Sequence, residues 1–246
     1  MNKCRSYLFV ILLLIYGITF FTRNDYRGVT DIVPAATQAP LQKPTASQKP
    51  IVFTKDGYAY ELTPLFNYTV NALLVHKLNY KSFSIYKYAS AFPMDVSLVW
   101  GSNLATKVYQ SKKLRFWQDG RFTYWQYEAG IEVNSTEIAN EHLIVNNQAI
   151  EQKMNSLNVG DQVKIKGQLV NVTAINTGPV SIDKPRLYKW QTSTVRNDTG
   201  AGACEIIYVE DIEILKKGNP VSCVLFKLSF YGLVLLVSWF VIELFI

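Results

Sequence analysis

The sequence predicts a mainly β fold with one helix, a small OB-like β-barrel domain, flanked by two transmembrane helices. Three observations carry that prediction. Residues 8–21 (LFVILLLIYGITFF) and 221–246 are almost unbroken apolar runs, and a bilayer is crossed by about 20 such residues. Between them, short stretches rich in β-branched and aromatic residues are punctuated by Gly, Asp and Asn, which is strand-and-turn composition. A single stretch departs from this pattern and carries its apolar residues at helical spacing.

Each element follows in order. Lys3 and Arg5 precede the first apolar run, and Phe20, Phe21, Thr22 and Arg23 offer no small-x-small cleavage site; residues 1–22 therefore read as a retained signal anchor. Residues 23–50 hold Pro34, Pro40, Pro44 and Pro50 among Ala, Gln, Thr and Ser. Such a segment buries little apolar surface, so it is expected to be an extended linker. The domain proper is expected over residues 51–216. Its clearest piece is 114–127 (LRFWQDGRFTYWQY), where Asp119-Gly120 stands between two alternating aromatic runs and predicts a hairpin with both turn positions at positive φ. Asn146 or Asn147 can cap a helix whose apolar face is Ala149, Ile150, Met154 and Leu157. After it, Gly160-Asp161 predicts a turn, Val163 and Ile165 alternate with lysines, and Gly167 falls where a strand can bend. A loop with Pro179 and Pro185 leads to a closing strand over 205–215 (EIIYVEDIEIL). Residues 221–246 form the second span, with Lys227 snorkelling to one interface and Glu243 near the other.

The net charge is +6, but the domain carries seventeen basic against sixteen acidic residues; the excess lies in residues 1–50, with six against two. A nearly neutral domain offers no basic groove for a phosphate backbone, so nucleic acid is not an expected partner. The lipid bilayer is one expected partner, and another envelope protein or a glycan is the other class. The charged start of the first span places the domain on the periplasmic or extracellular side of the inner (plasma) membrane. Positive-inside counting points the other way, because Arg23, Arg27, Lys216 and Lys217 flank the spans on the domain side.

The segments Leu98-Val99-Trp100-Gly101 with Asn103, residues 140–144 (NEHLI), residues 160–167 (GDQVKIKG) and residues 192–215 resemble a family of uncharacterised bacterial membrane-anchored (inner-membrane/periplasmic) proteins with no assigned activity. The resemblance implies an anchored extracytoplasmic domain. It also implies a second hairpin cysteine at the positions occupied here by Phe122-Thr123-Tyr124, so a disulfide to Cys204 is not available to this chain.

Candidate chemistry centres on DTGAGACE (residues 198–205). Asp198 sits in the Asp-Thr-Gly-Ala setting of an aspartic protease loop, but the chain holds no second such loop and Arg196-Asn197 replaces the usual apolar strand; a glycine turn into the closing strand is the better reading. Cys204 needs a base. Of the two histidines, His76 alternates within a strand-like run, whereas His142, expected in a loop before the helix, is the better partner with Glu141 or Asn140 to orient it. The competing reading of Cys204 is a core thiol at the start of the closing strand. No metal-ligand spacing and no cofactor motif is present, so neither a metal nor a cofactor is expected. Trp100, Trp117, Trp125 and Trp190 are candidate stacking surfaces for a ligand. From sequence alone the favoured function is a membrane-anchored envelope binding or scaffold module; the alternative is a cysteine-dependent hydrolase or thiol enzyme using Cys204 and His142.

Overall fold

A computed structural model of the chain describes residues 3–46, 49–80, 91–180, 186–198, 200 and 202–245. Pro185, Thr199 and Ala201 lie outside the described residues. The α-helices are α1 (Lys3–Thr22), the single turn α2 (Ser102–Ala105), α3 (Gln148–Asn155) and α4 (Pro220–Phe245). The strands are β1 (Leu41–Pro44), β2 (Ile51–Lys55), β3 (Tyr58–Asn79), β4 (Met94–Val99), β5 (Leu114–Asp119), β6 (Phe122–Tyr127), β7 (Ile138–Ile144), β8 (Gln162–Asn176), β9 (Leu187–Trp190) and β10 (Glu205–Lys216).

The described structure is mainly β, built on one large mixed sheet and the separate hairpin β5–β6. The sheet runs β1-β3-β4-β7-β10-β8-β9, and β3 also pairs along its length with β8. The five strands β3, β4, β7, β10 and β8 thus hydrogen-bond in a closed circuit, antiparallel except for β7 and β10, which are parallel. Their alternating inward residues, among them Val70, Leu74, Val96, Leu98, Val163, Ile165, Ile207 and Val209, form the largest core together with Trp100 just after β4. Helix α3 joins β7 to β8 and closes this core with Met154; Asn147 caps it, its Oδ1 accepting from the backbone N–H of Ala149 and Ile150. That is the predicted helix, with Asn147 rather than Asn146 as cap.

Gly167 explains how β8 can bend against β10. An added Cβ there would stand 2.1 Å from the Tyr208 carbonyl oxygen, opposite the point where β10 shifts register between Val209 and Asp211. Only a residue without a side chain permits that approach. The predicted hairpin also forms, with its turn one residue further on. Asp119 pairs with Phe122, so the turn residues are Gly120 and Arg121; Gly120 alone of these has positive φ, +57°. Glycine first is the II′ arrangement rather than the expected Asp119-Gly120 I′ turn, and it delivers Arg121 to the site described below.

Residues 23–44 depart from the expected spacer. Tyr26, Val29 and Ala36 are buried with Leu73, Val99, Leu104 and Tyr109 in a second cluster, and β1 pairs with β3. Gln162 grips this segment at both ends of its amide, accepting from Val33 N–H at 2.6 Å and donating to the Asp31 carbonyl at 2.8 Å. The prolines rule out long ladders there, but the segment is short of neither apolar nor backbone partners.

Two helices, Cys4–Thr22 and Pro220–Glu243, are long and apolar enough to span a membrane. They pack antiparallel. Tyr16 stacks on Phe226 with centroids 4.9 Å apart, Arg5 reaches Glu243 at 2.5 and 2.7 Å, and Thr22 donates to Ser222 at the domain end. Their outward faces carry exposed large apolar side chains such as Phe21 and Leu235, surface that water does not favour.

Gly167→Ala should cost on the order of 3 kcal/mol, because the new methyl group meets backbone that cannot move without opening the β8–β10 ladder. Thermal unfolding of the full chain in detergent checks this; a variant that melts with the wild type would show that the strands can separate freely there.

Candidate functional site

Asp95 is the unexpected residue. It lies on β4 with no exposed surface, and a carboxylate without water must be answered by hydrogen bonds and opposite charge. Three elements supply them. Tyr80, just after β3, donates its hydroxyl to Oδ2 at 2.5 Å; Arg121 in the hairpin turn donates to Oδ1 at 3.0 Å; and His142 on β7 places Nδ1 2.9 Å from Oδ1. Cross-strand register explains the last pairing, since Asp95 lies directly opposite His142 in the β4–β7 ladder. Arg121 is further held over the rings of Tyr80 and Phe92, at 4.4 and 5.0 Å.

The sheet pleat sorts β7 into two faces. Ala139 and Leu143 point into the main core, whereas Asn140 and His142 share the outer face with Asp95 and Ser97. His142 is in a strand, not in the loop expected for it, and the parallel β7–β10 pairing sets it beside Ile206, two residues after Cys204. His142 and Cys204 line one wall together, and the Cys204 side chain contributes to raising the imidazole pKa. Cys204 Sγ also accepts from Asn140 Nδ2 at 3.2 Å. Asn140 is itself fixed: Nδ2 donates to the Arg121 carbonyl at 2.7 Å, and Oδ1 accepts from Thr123 Oγ1 at 2.9 Å. Hairpin and sheet thus meet along a polar seam, Ser97–Thr123–Asn140–Cys204 on one side and Tyr80–Arg121–Asp95–His142 on the other.

The charges follow from this geometry. Burial works against the imidazolium of His142, yet the adjacent Asp95 carboxylate and the Cys204 side chain outweigh it and raise its pKa to about 9. Burial likewise pushes Asp95 upward, and His142, Arg121 and Tyr80 more than reverse this, holding it below the ordinary carboxylate value. At neutral pH the pair is therefore ionised, aspartate facing imidazolium.

Cys204 is half-buried rather than a core thiol. It lies on the wall of two cavities. One, of about 450 Å³, is bounded by Phe122, Trp125, Ile138, Asn140 and Val195; the other, of about 780 Å³, by Phe92, Arg121, His142, Lys189 and Trp190. The preceding turn is shaped by Gly200 and Gly202, at φ +85° and +102°, and Ser193 donates to Asp198 Oδ2 at 2.6 Å. Asp198 thus accepts a hydrogen bond from a hydroxyl ahead of the glycines. Among the described residues, no group of three or more His, Cys, Asp or Glu side chains is placed to hold a metal ion.

The other candidates scatter. Trp100 is buried in the main core, so it cannot stack on a ligand, a correction to its candidacy. Trp125 packs partly against the second cluster while bounding the smaller cavity. Trp190 stacks on Tyr188 with centroids 5.0 Å apart and bounds the larger cavity. Trp117 is exposed and stacks on Tyr124 at 5.5 Å. His76 contacts Gln118 of the hairpin and has a pKa lowered by burial, a structural role. Glu141, considered as an orienter of His142, points into the core instead, where Tyr68 donates to it at 3.0 Å; burial raises its pKa. The residues that sequence reasoning missed are Asp95, Arg121 and Thr123. For Asp95 a signal was present, an acidic residue one step ahead of the apolar run VSLVW.

Comparison with protein-family models, with curated proteins and with solved structures returns no match.

Asp95→Asn should lower the His142 pKa markedly from about 9, because burial persists while the main partner charge is gone and only the Cys204 side chain remains to raise it; an NMR titration of the imidazole reads the shift directly. For stability, a raised imidazole pKa contributes fully below about pH 6.5 and is lost as pH rises through about 9. Wild-type melting should therefore weaken across that window by a contribution on the order of 3 kcal/mol, and the variant should lack this slope.

Proposed function

We propose that the domain is the head of a membrane-anchored thiol enzyme, with Cys204 as nucleophile, His142 as the proton carrier beside it and Asp95 orienting the ring. The observation that carries this is the grouping of Asp95, His142 and Cys204, in which a carboxylate with no exposure faces the imidazole at 2.9 Å and that imidazole lines the same cavity as the thiol. A thiol is activated by a neighbouring imidazolium, and the base is in turn held by a third group. Reaction at acyl carbon, as in a cysteine hydrolase, is the chemistry this constellation suits.

The scaffold reads as an OB-like barrel. Five strands in closed order, a parallel pair between the third and fifth, and a helix between the third and fourth support that reading. The two long apolar helices, with the ion pair Arg5–Glu243 at their far end, support a two-span membrane anchor. The charged start of α1 and the resemblance to bacterial membrane-anchored proteins support an extracytoplasmic head. Reporter fusions after Lys49 and after Lys217 test the side; a cytoplasmic signal from both would overturn it.

A second reading, an envelope binding or scaffold module, draws support from the exposed hairpin aromatics Trp117, Phe122, Tyr124 and Tyr127, a face suited to sugar or peptide stacking.

The readings part at the thiol. With Cys4 and Cys223 changed to Ser, iodoacetamide should modify native Cys204 near neutral pH, and His142→Ala should slow the reaction at least about tenfold. A Cys204 that reacts only after denaturation sinks the enzyme reading and leaves the binding module.

A further inference from the structure

Cys204 is shared by two cavities that differ in which partner they expose. Asn140 bounds the smaller and His142 the larger. Resting on the thiol-enzyme reading, we propose that Asn140 is a catalytic residue that donates to the oxyanion, that an apolar acyl group enters the smaller cavity, and that its leaving group occupies the larger one.

The amide of Asn140 is built for a fixed donor. One hydrogen of Nδ2 goes to the Arg121 carbonyl at 2.7 Å and the other faces Cys204 Sγ at 3.2 Å, while Thr123 secures Oδ1. Thr123 is in turn 2.6 Å from Ser97 Oγ, so the amide is tied to both hairpin and sheet. In the resting site the second hydrogen is directed at the sulfur. When the thiolate form of Cys204 bonds to an acyl carbon, the carbonyl π pair moves to oxygen, and negative charge appears one bond from that carbon. The same N–H, released by the sulfur, then meets the new oxyanion. Preorganised donors of this kind account for about 10²–10³ in rate.

Collapse of the tetrahedral species re-forms the carbonyl and expels the leaving group, which takes its proton from the His142 imidazolium. The acyl group is left on Cys204 as a thioester. Water, losing a proton to His142, attacks that thioester; the acid departs and the thiolate and imidazolium are restored. His142 bounds the cavity assigned to the leaving group and to water, as this order requires. Phe122, Trp125, Ile138 and Val195 make the smaller cavity suited to a hydrocarbon acyl chain, whereas Arg121 and Lys189 suit an anionic leaving group in the larger.

The test uses the full chain in detergent, with Cys4 and Cys223 as Ser, and p-nitrophenyl hexanoate and acetate as probes. Wild type should release nitrophenolate and gain one hexanoyl group on Cys204 by intact mass. Asn140→Ala should slow acylation about 10²–10³-fold while iodoacetamide alkylation, which builds no oxyanion, changes less than about tenfold. Val195→Trp, at an exposed position of the smaller cavity, should slow hexanoate at least about tenfold more than acetate. Equal losses of acylation and alkylation in Asn140→Ala would overturn the oxyanion role, and equal losses of both esters in Val195→Trp would overturn the cavity assignment. A wild type alkylated at Cys204 but never acylated defeats this proposal and leaves the thiol reading; one that is not alkylated at all defeats both.

Discussion

A carboxylate sealed from water organises this domain. Asp95 cannot keep its charge unless other groups reach it, and those groups come from the end of β3, the tip of the β5–β6 hairpin and the middle of β7. Among the described residues the hairpin belongs to no larger sheet, and an isolated two-stranded ribbon is marginally stable in water. What holds it down is this charge, the Thr123–Asn140 seam and the insertion of Phe116 and Trp125 beside the second core cluster. Removing the carboxylate would leave Arg121 and His142 buried without an anion, so the site and the docking of the hairpin stand on the same interaction.

The same constraint gives the thiol its neighbours. His142 is turned by Asp95, Asn140 by Thr123 and the Arg121 backbone, and both side chains converge on Cys204 because residues 140 and 142 lie on one face of a strand. Binding-module and enzyme readings differ in what they make of this convergence. A surface built to bind needs no ionised Asp–His pair behind a half-buried cysteine, whereas a nucleophile does.

Local elements were legible in the sequence for local reasons. The hairpin, the capped helix, the bend at Gly167 and the two apolar helices each depend on residues adjacent in the chain. What was not legible depends on pairing across long separations. Nothing near His142 says that it is in a strand opposite Asp95, forty-seven positions earlier in the chain; a helix cap soon after it suggested a loop. The hairpin turn moved one residue because Gly120 followed by Arg121 satisfies a II′ turn and lets the guanidinium reach a buried anion, a gain that turn statistics do not contain. The proline-rich segment looked like a spacer because its composition is polar, yet Gln162, a single side chain of β8, clamps it. Cys204, His142 and Asn140 could be named from the sequence; Asp95, Arg121 and Thr123 needed the sheet and the hairpin.

Strand β10 has one further consequence. Its twelve residues begin directly after Cys204 and end shortly before α4, a rise of roughly 35 Å if fully extended. With α4 in a bilayer, the thiol stands off the lipid surface at the far end of a rigid post. The length of β10 is then the upper limit on how far Cys204 stands from the start of α4 along this strand.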